Sequence, residues 1–159
     1  MRMQSSIQRS SIPSLTARSN TTGRMVKRQR RERGTIEFYE NDWMTDMAYP
    51  IYPEGLYRSI ERISELGVPI FITENGIADA QDDRRATFIE RYLYAVSRAL
   101  EEDYDVRGYF YWTLMDNFEW SEGYDMKFGL YEVNFATQER KLRDGAGAFV
   151  RIVRDHSGE

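Results

Sequence analysis

Val68-Pro69-Ile70-Phe71-Ile72-Thr73-Glu74-Asn75-Gly76 is a short, nearly continuous run of apolar and β-branched residues that ends in an acid and a pair suited to a sharp turn. Such a run predicts a strand covered on both faces, the usual state of a strand in a parallel sheet. A second run of the same kind, Val106-Arg107-Gly108-Tyr109-Phe110-Tyr111-Trp112-Thr113-Leu114, follows after one helix-length of chain. Between the two lie a polar loop, Asp79 to Arg85, and a helix whose apolar stripe is Ile89, Tyr92, Leu93, Val96 and Leu100. Upstream, Pro53 suits the first turn of a helix in which Leu56, Ile60, Ile63 and Leu66 recur every three or four residues before Gly67 closes it. Downstream, an aromatic and acidic loop leads to a final helix marked by Ala146, Phe149, Val150 and Val153. The predicted order is helix, strand, helix, strand, loop, helix.

Strands separated by helices of this length are βα units of a parallel sheet joined by right-handed crossovers. Two such strands make no stable sheet by themselves, and a closed (β/α)8 barrel typically needs ~250 residues. The expected fold class is therefore α/β, a partial TIM (β/α)8 barrel in which about a quarter of the strands are visible. No internal repeat is evident that would let a few units close on themselves.

Composition narrows the chemistry. The chain has 159 residues, 41% hydrophobic and 30% charged, and no apolar run approaches the ~20 residues of a membrane helix. It contains no cysteine, which excludes disulfides, thiolate metal sites and cysteine nucleophiles. Its one histidine, His156, stands almost at the end, which argues against a Ser-His-Asp triad or a multi-histidine metal site. Carboxylates must carry any catalysis.

The net charge of -4 conceals an asymmetry: nine Arg or Lys against Glu32 alone give residues 1–34 a charge of +8 and leave -12 for the rest. Residues 1–23 are Ser-, Thr- and Arg-rich without hydrophobic periodicity and are expected to be a disordered, basic N-terminal segment. The same composition fits an organellar transit peptide, although a cytoplasmic protein is the simpler reading. The cluster Lys27-Arg28-Gln29-Arg30-Arg31-Glu32-Arg33 reads as a solvated loop in preference to a nucleic-acid contact, and Asn20-Thr21-Thr22 matches a glycosylation triplet weakly.

Glu74 sits at the end of a predicted buried strand, where (β/α)8 barrels place catalytic groups. An isolated strand-end glutamate more often opens a solvated loop, so the second segment decides. Tyr109-Phe110-Tyr111-Trp112-Thr113-Leu114-Met115-Asp116-Asn117-Phe118-Glu119-Trp120 joins a strand end to two indoles and two carboxylates. That combination suits a sugar, whose ring offers an apolar face to an aromatic platform and a rim of hydroxyls to acids and indole N–H groups.

These residues, with Tyr52-Pro53-Glu54-Gly55-Leu56, Gly123-Tyr124 and Lys127-Phe128-Gly129-Leu130, closely resemble glycoside hydrolase family 1 in sequence, order and spacing. The resemblance covers roughly Trp43 to Val153, with extension back to Arg24. It implies a β-glucosidase-like enzyme that hydrolyses β-D-glycosides with retention, with residues 24–159 forming the C-terminal part of its barrel, the last two or so βα units. It further implies that Glu74 is the nucleophile, that Trp112 stacks under the glycone, and that Glu119 accepts hydrogen bonds from two glycone hydroxyls. By the same resemblance the Trp120 indole donates to another hydroxyl and Phe128 walls the site. No metal or organic cofactor is implied. Glu119-Trp120 favours an unphosphorylated glycone.

The chain departs from the family pattern at Lys127, where arginine is usual, at Tyr49, where tryptophan is frequent, and at Arg140 to Gly145, which lacks a common proline. The larger departure is the family's acid/base segment, Thr-x-Asn-Glu-Pro, which does not occur here. Retaining hydrolysis needs two carboxyl groups about 5 to 5.5 Å apart, so the chain is expected to supply half of the machinery. The expected partners are a β-glycoside and either a second copy or a complementary barrel fragment, with no nucleic acid and no membrane. The competing reading is a non-catalytic, carbohydrate-binding remnant.

Overall fold

Pro53, with its fixed φ and missing N–H, opens the first helix of the computed structural model at the position where a helix has no use for that donor. The structure describes the backbone of residues 25–31 and 34–39, and residues 42–157 with their side chains. Contacts divide the chain into two units, Met1–Asn41 and Asp42–Glu159. In the first, β1 (Met25–Arg31) and β2 (Gly34–Tyr39) pair antiparallel with an irregular register between Lys27 and Arg30. The basic cluster expected as a loop thus begins in a strand. Val26, Thr35, Ile36, Phe38 and Tyr39 are residues that favour extended backbone, a signal the charges obscured. The expectations for residues 1–23, disorder, targeting and the 23/24 boundary alike, lie outside the described residues.

The second unit runs α1 (Pro53–Ser64), β3 (Ile70–Asn75), α2 (Arg85–Glu101), β4 (Val106–Tyr111), β5 (Tyr131–Asn134), β6 (Glu139–Leu142) and α3 (Gly147–Ser157). β3 and β4 are parallel, with Ile70 opposite Val106, Phe71 opposite Gly108 and Ile72 opposite Tyr109. The helices cover one face of this pair. Ile60 of α1, Ile70 and Ile72 of β3, and Val96 and Ala99 of α2 form one buried cluster. Ile77, Phe88, Ile89, Tyr92, Leu130, Ala146 and Ala148 form a second, between α2, the segments beyond the strand ends and the start of α3.

Three sequence expectations need correction. First, the strands are covered on one face, not two: Ile70 and Ile72 are buried, whereas Phe71 and Phe110 are 54% and 58% exposed. The continuous apolar run marks a strand that has a use for both faces, and among the described residues of this unit α1 and α2 cover one. Phe71 lies over Gly108, where a Cβ would come within 2.6 Å of its ring. Second, the helical stripes are shorter than their periodicity: Ile63 at the end of α1, Leu66 in the turn beyond it, Leu100 in the last turn of α2, and Val153 in α3 are exposed. Gly67 does close α1, with φ +64° and its N–H on the Ser64 carbonyl at 3.0 Å. Third, the expected loop before α3 contains the antiparallel pair β5–β6, registered Tyr131 to Leu142 through Asn134 to Glu139. Its turn is held by Asn134 Oδ1, which accepts from the Ala136 and Thr137 N–H groups at 3.0 and 3.2 Å.

Candidate active site

Glu74 is the penultimate residue of β3, one position beyond the expected strand end. Its side chain is exposed, while its neighbour anchors the strand: the Asn75 carbonyl accepts from Trp112 N–H at 3.0 Å and Asn75 Oδ1 accepts from the Tyr109 hydroxyl at 2.8 Å. Burial raises the pKa of that Tyr109 hydroxyl, keeping it a donor. Gly76 follows because nothing larger fits. A Cβ there would lie 1.6 Å from the Trp112 carbonyl oxygen, so close approach, and not turn geometry, selects the glycine.

β4 ends at Tyr111, short of the expected Leu114, because the chain leaves β3 after the Trp112 bond and pairs with a later segment. Leu130 N–H donates to the Thr113 carbonyl at 2.9 Å, and Thr113 N–H to the Phe128 carbonyl at 3.4 Å. This brings Phe128 beside Trp112. Beyond it, Trp120–Glu122 forms a 3₁₀ turn in which Glu119 N–H donates to the Gly123 carbonyl at 2.7 Å and Gly123 takes φ +63°. Trp120 is left 81% exposed. Glu119 is half-buried, and its Oε2, like Oδ1 of Asn117, is buried without a hydrogen-bond partner in the described structure.

The five residues singled out in the sequence converge. Glu74, Trp112, Glu119, Trp120 and Phe128 line one cleft of about 400 Å³ together with Gly76, Met47 and Tyr49. Two aromatic planes, a phenyl wall and two carboxylates open on the same space, an arrangement suited to a small polyhydroxylated ring. Tyr49 arrives on a turn held by Thr45, whose Oγ1 accepts from Tyr49 N–H at 3.2 Å. Among the described residues no group of three or more His, Cys, Asp or Glu is placed to hold a metal, and no helix is long and apolar enough to cross a membrane.

The second carboxylate of the aromatic segment is not in the cleft. Asp116 is 4% exposed, pairs with Arg143 Nη2 at 2.6 Å, and accepts from Gly129 N–H at 2.9 Å and Val133 N–H at 3.4 Å. It holds the start of β5, so the expectation that both acids meet a sugar is corrected for this one. Sequence reading also missed Arg85, assigned to a polar loop. Asp79 and Arg85 are both fully buried. Asp79 Oδ2 accepts from the Arg84 and Arg85 N–H groups at 2.9 Å each, and its Oδ1 accepts from Arg84 Nη2 at 2.9 Å. Burial opposes the charge of Asp79, but these donors and the Arg84 guanidinium outweigh it and hold the carboxyl below its usual range. Arg84 also donates to Asp46 and Asp83, and these anions keep it charged despite partial burial.

A family model described as glycosyl hydrolase family 1 matches residues 5–157. A β-galactosidase of Pyrococcus woesei is 44% identical over 115 residues, 72% of this chain and 22% of that protein. A bifunctional β-D-glucosidase/β-D-fucosidase of Bifidobacterium breve is 39% identical over 137 residues, 73% and 30% of the two chains. The solved β-glycosidase of Pyrococcus horikoshii is similar with a TM-score of 0.70 and 41% identity, over 77% of this chain and 30% of that one. The chain therefore spans less than a third of the length of these relatives, and its α/β fold corresponds to one portion of theirs.

Proposed function

Because the chain belongs to glycosyl hydrolase family 1, we propose that it carries the nucleophile side of a site that hydrolyses β-D-glycosides with retention. The observation that supports this reading is the meeting of Glu74, at the end of β3, with Trp112, Glu119, Trp120 and Phe128 in one cleft. In the proposed mechanism a Glu74 carboxylate oxygen attacks the anomeric carbon as the bond to the leaving oxygen breaks, forming a glycosyl ester. A second carboxyl group protonates that oxygen, then deprotonates the water that cleaves the ester, and the hydroxyl is retained on the original face. Trp112 supports the ring, Trp120 donates through its indole N–H, and Glu119, with a buried oxygen that lacks a partner, accepts from ring hydroxyls.

The acid/base carboxyl belongs, in this proposal, to a complementary portion of the barrel. Relatives whose names span glucosidase, galactosidase and fucosidase favour β-glycosides as the class. Exposure of Glu74 and of 81% of Trp120 favours one second reading, a sugar-binding remnant whose platform persists without turnover.

A glycoside with a dinitrophenolate leaving group separates the two, because such a group departs without protonation and so bypasses the missing acid. A 2-deoxy-2-fluoro substituent slows hydrolysis of the ester, and the adduct accumulates. Incubation of the chain with the dinitrophenyl 2-deoxy-2-fluoro-β-D-glucoside should add one fluoroglucosyl group to the peptide bearing Glu74, and Glu74→Gln should take none. Binding without any adduct would favour the remnant.

A further inference from the structure

The guanidinium of Arg85 is not part of the cleft lining yet is bonded to three of the chain segments that contribute to it. Its Nη1 donates to the Ile77 carbonyl at 3.1 Å, the Tyr111 hydroxyl at 3.0 Å and the Phe128 carbonyl at 3.1 Å. Its Nη2 donates to the Asp79 carbonyl at 2.7 Å and the Lys127 carbonyl at 3.0 Å, and its Nε to Asp82 Oδ1 at 2.7 Å. Ile77 and Asp79 lie on the segment leaving Glu74, Tyr111 immediately precedes Trp112, and Lys127–Phe128 carries the phenyl wall.

We propose that Arg85 is a positioning residue for the glycone cleft, a single planar fork that sets the spacing of Glu74, Trp112 and Phe128. This rests on the reading of that cleft as a sugar site. Burying an unpaired guanidinium is costly, and an apolar side chain of similar volume would commonly stabilise a core as well or better. Here every direction of the fork meets an acceptor, and the Lys127 and Phe128 carbonyls also accept the Asp79 and Thr113 N–H groups, so the fork braces bonds that already join these segments. A lysine could satisfy one or two of these directions but not all of them. A second clamp holds the next residue: Arg143 Nε donates to the Gly129 carbonyl at 3.1 Å while Asp116 accepts from Gly129 N–H. Three successive carbonyls, those of Lys127, Phe128 and Gly129, therefore end on buried guanidinium groups, which fixes the wall in place rather than letting it follow the ligand.

The test compares Arg85→Lys and Tyr111→Phe with Val96→Ala, a core truncation on the same helix away from the cleft. Native-state hydrogen exchange reads the amides of Asp79, Thr113 and Leu130, which bond across the clamped segment, against Ile70 in the strand core, whose N–H bonds to the Asp105 carbonyl. Local opening accelerates selected amides, whereas loss of global stability accelerates all amides that exchange through unfolding. The clamp predicts exchange on the order of 10-fold faster at Asp79, Thr113 and Leu130 than at Ile70 in Arg85→Lys, with a smaller bias of the same kind in Tyr111→Phe. It also predicts a maximal rate of fluoroglucosyl labelling at Glu74 reduced on the order of 10-fold at a temperature where the variant is fully folded. Val96→Ala should accelerate the amides evenly and leave that rate alone. Uniform exchange in Arg85→Lys and Tyr111→Phe, or unchanged labelling in both, overturns the proposal; if Arg85→Lys fails to fold, Tyr111→Phe decides it. A wild-type chain that takes no label at Glu74 sinks the hydrolase reading instead, and the exchange pattern still decides whether Arg85 holds the three segments.

Discussion

The carbonyl oxygen of Trp112 occupies the place a Cβ on Gly76 would need, 1.6 Å away. The segment leaving Glu74 and the segment carrying Trp112 are therefore in backbone contact, and the distance between the nucleophile candidate and the sugar platform depends on a missing methyl group. Gly76→Ala should force the two apart at a cost of roughly 1 to 3 kcal/mol, the usual range for overpacking, or more because backbone cannot rotate away. Urea denaturation measures the loss, and a stability unchanged within error would show that the two segments are free to separate.

The two acids of the aromatic segment should behave oppositely. Asp116→Asn leaves Arg143 buried without its counter-charge and should cost about 3 to 5 kcal/mol, with loss of amide protection across β5 and β6. Glu119→Gln should cost little stability yet weaken sugar binding and labelling at Glu74. A thermal melt beside a labelling time course reads both, and the reverse pattern would exchange the roles assigned to these residues.

Acid should destabilise the second unit through Asp79. Its carboxyl titrates lower in the folded chain than its ordinary value of 3.8, so the stabilisation is fully present above that value and is lost as pH falls through the lower, folded one. Thermal midpoints followed from pH 7 downward should therefore decline most steeply below about pH 4, and Asp79→Asn should flatten that decline. An equally steep acid limb in the variant would assign the effect to other carboxylates.

The uncovered face of β3 and β4 should govern solution behaviour. Phe71 and Phe110 expose more than half their surface on a two-stranded sheet whose outer edges are unpaired among the described residues, a surface that invites further pairing. The chain is expected to sediment as a species larger than 18.8 kDa or to bind a complementary barrel fragment, and Phe71→Ser with Phe110→Ser should weaken either association. A monodisperse 18.8 kDa species with a cooperative melt would show that this portion closes its own core.

Periodicity located α1, α2, α3, β3 and β4 because each buries a face against the others, and burial is what writes a period into sequence. It could not reveal β6, where Glu139, Arg140, Lys141 and Leu142 are all exposed and no alternation survives. The five cleft residues were legible through the family resemblance of three short segments, two of which lie at the ends of the parallel strands β3 and β4. Arg85 and Asp116 were not. A charged residue beside a loop reads as solvated unless its acceptors are known, and those of Arg85 lie as far as 43 positions away. Tyr49 and Met47 were hidden likewise, since their place in the cleft depends on the turn held by Thr45.

Glu119 Oε2 is buried without a hydrogen-bond partner among the described residues. In the proposed site a glycone hydroxyl could supply the partner this oxygen lacks, once a shift of the neighbouring side chains uncovers it. In that proposed site an analogue lacking the hydroxyl would leave the oxygen unpaired and forfeit roughly 1.5 to 3 kcal/mol, the usual worth of a hydrogen bond to a charged group. If the proposed site holds, discrimination among sugars at this corner belongs to an acceptor that only the right ligand uncovers.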